Sequence, residues 1–136
     1  MLVAAFCSWH EHHQPAAGAL EAMARQRRRL VLAAPVLLDT YAVLTRLAPP
    51  HRLSPDSARE LMRGNLAGRR TVALEARGYW HLIDRAAAGG VAGGRSYDAL
   101  IVACAIRAGV ERLLTLNRGD FEVLVPEGIV VDCPVH

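Results

Sequence analysis

The apolar positions of this chain follow two alternating rhythms. Short apolar runs at residues 30–33, 71–74, 112–116 and 128–132 have the length expected of buried strands. The stretches between them carry apolar residues at helical spacing. Residues 2–28 favour helix, with Pro15 opening a second helix that places Leu20 and Met23 on its apolar side. A helix is expected over 35–47, with Pro35 in its first turn and Pro49-Pro50 beyond its end. Ser54-Pro55-Asp56 caps another that stops near Gly64, and 76–88 forms a third. After the glycine-rich loop 89–94, Ser96 caps a helix to Ala108 whose buried side is Tyr97, Leu100, Ile101, Cys104, Ala105 and Ala108. Short strands alternating with helices predict an α/β fold, a parallel sheet flanked by helices on both faces.

Length and composition narrow the class. A chain of 136 residues with 52% hydrophobic content suits a single domain, residues 1–136, with a real core. No apolar run reaches the length of a membrane span, and the opening MLVAAFCSW lacks the basic start and cleavage site of a signal peptide, so a cytoplasmic protein is expected. Cys7, Cys104 and Cys133 are odd in number and far apart, which suggests small apolar residues and neither a disulfide framework nor a thiolate zinc site. The formal net charge of +3 rests on sixteen arginines and no lysine.

The chemistry lies in the acids. In a parallel sheet, each strand's C-terminal end and the start of the helix it feeds share one edge, where ligands bind. Asp39 follows the 30–33 strand, Asp98 lies in the first turn of the helix after the Gly-Gly turn, and Asn117 and Asp120 follow the 112–116 strand. Three segments therefore bring oxygen donors to one edge. Such donors suit Mg²⁺ or Mn²⁺, which can activate water and neutralise charge on a phosphoryl group, so phosphodiester hydrolysis is the inferred reaction. Taken singly, each acid also has an ordinary explanation: Asp98 and Asp39 complement a helix dipole, and Asp120 stabilises a turn. The combination carries the case.

Other features weigh less. WHEHH places His10, His12 and His13 together, but the zinc-protease pattern needs a histidine where Gln14 stands. His10 is kept as a candidate substrate contact. Arg46, two turns after Asp39, is a candidate for holding a phosphate or balancing the acids. The run Arg25, Arg27, Arg28 and Arg29 and the pair Arg69-Arg70 are candidate contacts for RNA phosphates, with a solvated helix end the commoner explanation. The aromatic residues show no base-stacking signature, and residue types alone leave DNA open as the substrate of an acidic nuclease.

The segments LVAAFCSWHEHH, APVLLDTYAVLTRL, GGRSYDALIVACAIRAGV, LLTLNRGDF and EGIVVDCPV together resemble a PIN-domain ribonuclease, and specifically the VapC-type toxins of toxin-antitoxin pairs. YDALIVACAIRAG followed by TLNRGDF carries most of the specificity. The resemblance implies a Mg²⁺- or Mn²⁺-dependent endoribonuclease acting on RNA, a cognate VapB-type antitoxin that masks the site, and a homodimer. It places Asp98 and Asp120 as metal ligands, with Asp39 where the family usually carries Glu, and leaves Asn117 and Thr115 to orient a ligand or the water. In the family, a strand ending in Asp precedes a helix like LVAAF, whereas Met1 falls inside that helix here. Two readings follow: a toxin whose first strand lies upstream of the recorded start, or an inactive module that binds antitoxin or RNA without cutting.

Overall fold

Local chemistry sets most element ends. The computed structural model describes residues 1–25 and 30–135, so Arg27, Arg28 and Arg29 of the basic run lie outside the described residues. The helices are α1 (Leu2–Phe6), α2 (His13–Arg25), α3 (Ala34–Arg46), α4 (Pro55–Leu66), α5 (Ala76–Ala88), α6 (Arg95–Ala108) and α7 (Arg118–Glu122). The strands are β1 (Val31–Ala33), β2 (Arg70–Val72), β3 (Arg112–Leu114) and β4 (Val130–Asp132), each three residues long. β1 pairs with β2 and β3 with β4 in two two-stranded sheets. This is the expected α/β alternation with strands shorter than the apolar runs that announced them.

The chain divides into two compact units. The first comprises Met1–Leu32 and Val36–Arg70, with Val135. Its apolar side chains gather in two groups. Leu2, Leu32 and Leu66 are buried together with Phe6, Leu20, Val36 and Leu37 against them. Cys7, Leu44 and Ala58 are buried beneath Val3, Tyr41, Leu47, Leu53 and Leu61. Ser54 caps α4 as expected, its Oγ accepting from the Ser57 N–H at 3.1 Å with Pro55 at the first helical position. Gly64 does not stop α4. The helix runs to Leu66 and ends before Gly68, whose φ of +78° is the left-handed turn that glycine adopts without strain. Two helices form in the helix-favouring stretch 2–28, as expected; a turn separates α1 from α2, where the His10 Nδ1 accepts from the His12 N–H at 3.1 Å, and α2 opens at His13 with Pro15 in its first turn.

The second unit comprises Ala33–Pro35 and Thr71–Pro134. Its core is Val102, Leu113, Phe121 and Val131, with Ile101, Ala105, Leu124, Val125 and Ile129 packed around them. β3 and β4 run parallel with Leu113 opposite Val131, and the ladder continues through the Thr115 N–H to the Asp132 carbonyl at 2.9 Å. α6 starts one residue before Ser96, with Gly94 at its N-cap and no side-chain cap. Ser96 turns its hydroxyl outward to donate to the Gly93 carbonyl at 2.6 Å, so it closes the preceding turn instead of capping the helix. The buried residues of α6 are Leu100, Val102, Ala103 and Cys104, while Tyr97 is 66% exposed. The helix is thus covered on more than one side, and the single apolar stripe expected from spacing does not describe it.

Candidate functional site

Asp98 is placed by α6. It stands in the first turn, partly buried, where the unpaired N–H groups of a helix start favour negative charge. Its carboxyl is nonetheless held above the usual aspartate range, first because burial strips water from the charged form and then because the Asp120 carboxylate lies nearby; Arg95 pulls the other way. The two acids from separate segments therefore lie close enough in the second unit for the charge of Asp120 to be felt at Asp98.

Asp120 is carried by the short helix α7. After β3 the chain passes Thr115, which is buried, and Asn117 takes the N-cap of α7. The Asn117 backbone N–H donates to Thr115 Oγ1 at 3.0 Å. The Asn117 side-chain Nδ2 in turn donates to the Asp120 Oδ2. Phe121 anchors the helix in the core beside Val102, Leu113 and Val131. A relay from buried hydroxyl to backbone to amide to carboxylate thus fixes Asp120, and Thr115 and Asn117 act as orienting groups for it.

The remaining candidates belong to the first unit. Asp39 lies on α3, exposed, past its first turn; Arg46 is exposed at the end of the same helix. His10 is half-buried in the α1–α2 turn, its ring 5.9 Å from Trp9 and 5.7 Å from His12. The His13 Nδ1 lies 3.0 Å from the Ala4 carbonyl. Among the described residues, no three His, Cys, Asp or Glu side chains form a ready metal-holding group. The assembled part of the site is the pair Asp98 and Asp120 with Asn117 and Thr115. The sequence reading missed Arg95, which the i, i+3 spacing to Asp98 at a helix start could have flagged.

The pair fits a hard divalent cation. Its donors are all oxygens, and the Asp98 carboxyl, which burial and the Asp120 charge hold back from ionising, is relieved by a nearby positive charge. No helix among the described residues is long and apolar enough to cross a membrane.

The second unit thus sets two carboxylates at helix starts beside a parallel strand pair, within an α/β fold. The chain belongs to the PIN-domain family, whose model, described as "PIN domain", matches residues 1–124. Among curated proteins it is similar to "Ribonuclease VapC40" of Mycobacterium tuberculosis, in strain CDC 1551 / Oshkosh and in strain ATCC 25618 / H37Rv. Each is 39% identical over 113 residues, covering 83% of this chain and 79% of the relative.

Proposed function

We propose that this chain is a single PIN-like domain acting as the toxin of a toxin-antitoxin pair, an endoribonuclease that hydrolyses RNA phosphodiester bonds with Mg²⁺ or Mn²⁺. The observation that carries the reading is the nearness of Asp120's charge to Asp98 in a chain of this family. The name of the M. tuberculosis relatives supplies the reaction class and the toxin type. In this reading Asp98 and Asp120 hold the ion, with Asp39 as a third ligand. A divalent ion held there lowers the pKa of an attacking water and neutralises charge at the phosphoryl group. Asn117 fixes the Asp120 carboxylate through its amide, and Thr115 fixes Asn117 through its backbone. Arg46 and His10 contact substrate. The partners are a VapB-type antitoxin, RNA and a second copy of the chain, in the cytoplasm.

The test is cleavage of a mixed RNA substrate with Mn²⁺ by the chain, by Asp98→Asn, and by the chain in EDTA. Cutting that is lost in both controls supports the reading. Cutting that survives Asp98→Asn assigns the chemistry elsewhere, and a folded chain that never cuts overturns the enzyme.

A further inference from the structure

The second unit holds a cation beside the acidic pair that no role above uses. Arg95 opens α6, three residues before Asp98, so the two side chains rise from the same face of the helix start. Three other arginines of the second unit are already engaged. Arg112 bonds Asp132 at 2.6 Å, Arg118 bonds Glu122 at 3.1 Å, and Arg107 bonds Glu75 at 3.0 Å. Arg95 is exposed and makes no hydrogen bond or ion pair among the described residues, although its charge is felt at Asp98. A guanidinium carries five N–H donors in a rigid fork matched to two oxygens of one phosphate. Arg95 thus combines unused donors, solvent access and a position next to the acids.

We infer that Arg95 binds a phosphate of the RNA strand lying across the Asp98–Asp120 pair, as a substrate-positioning cation. The inference rests on the ribonuclease reading and deepens it by naming the residue that holds the backbone. Two acids would repel a polyanion, and a cation on the same helix face supplies the attraction that brings the strand to them. A contact of this kind carries no base preference, because the phosphate is common to every nucleotide.

The experiment measures binding of single-stranded homopolymer RNA, oligo(U) and oligo(A), over a salt series in EDTA, and cleavage of the same strands with Mn²⁺. The proteins are the full chain, Arg95→Gln, Arg95→Lys and Arg59→Gln. Arg59 sits on α4 and bonds Asp56 at 3.3 Å, so it reports the loss of one positive charge alone. Arg95→Gln is expected to weaken both RNAs alike by roughly tenfold, the scale of a charge-assisted hydrogen bond. It should also lower the slope of log affinity against log salt by about 0.7, the value for one lost contact to a single strand. Arg95→Lys should recover part of the affinity and the full slope. Arg59→Gln should change neither. Equal slopes in Arg95→Gln and the unmodified chain, with RNA still cut, overturn the role of Arg95 and leave the ribonuclease standing. An Arg95→Gln protein altered only in melting temperature shows an arginine that merely balances the acids. An unmodified chain that neither binds nor cuts RNA overturns both.

Discussion

Asp98 couples function to stability at a single side chain. Its raised pKa means that the native state keeps a proton at pH values where the unfolded chain has lost it. Stability therefore falls as pH rises from the ordinary aspartate range through the folded value, and the full penalty is present at neutral pH. Replacing Asp98 by Asn removes that penalty. In EDTA, Asp98→Asn is expected to melt higher than the unmodified chain at pH 7, and the gap should close as pH falls below the usual aspartate value. A gap that is absent or reversed at pH 7 would show that the carboxylate is not strained by burial and by Asp120. Cleavage should meanwhile fall by roughly a hundredfold or more, the scale of losing one group that stabilises charge in the transition state. Asp98 and Asp120 were legible as candidates because each follows a strand or a glycine turn in a recognisable run. Their shared edge was legible too, from the rule that strand ends and helix starts meet there, whereas α7 was not, because its five residues RGDFE carry too little periodicity to announce a helix.

At the scale of elements, caps were more legible than faces. Ser54 was readable because Ser-Pro-Asp is a local signal whose hydrogen bond forms within the segment itself, and Ser54→Ala should cost about 1 kcal/mol by denaturant unfolding. Ser96 looked like the same signal and is not, since two glycines before it let the chain turn one residue earlier. The end of α6 is set by Gly109, at φ +68°, where its N–H reaches the Ile106 carbonyl and that of Val110 the Ala105 carbonyl. An added Cβ there meets nothing within 4 Å, so Gly109→Ala tests backbone strain alone. It should destabilise by about 1 kcal/mol without affecting RNA cleavage per folded molecule. A cost near zero would mean that the helix can end without the left-handed residue. The faces of α6 escaped sequence reading for a different reason. Leu100, Val102, Ala103 and Cys104 are buried in near succession, so no stripe distinguishes inside from outside. The strands were read within a residue or two of their places but too long, because core packing extends past the paired residues, as at Leu30 before β1 and Ile129 before β4.

For the whole molecule, the decisive property is how folding and ion binding are linked. An ion that binds the native chain and not the unfolded one adds RT ln(1 + [L]/Kd), about 2.7 kcal/mol at a hundredfold excess over Kd. For a chain of 136 residues that corresponds to a rise in melting temperature of roughly 10 °C. The acids give a reason to expect such a term, because the repulsion between Asp98 and Asp120 that weakens the free protein is the same interaction a cation removes. Mn²⁺ at saturating concentration should therefore raise the melting temperature of the unmodified chain, and EDTA should reverse it. Asp98→Asn and Asp120→Asn should each lose most of the rise, and Asp39→Asn a smaller part if Asp39 supplies the third ligand. Arg59→Gln should lose none. This calorimetric measurement needs no RNA, so it separates a chain that holds the ion but fails to cut from one that never holds it. An equal rise in the unmodified chain and in Asp98→Asn would place the bound ion away from these acids, and the assignment of the site would fall even if the protein cleaved RNA.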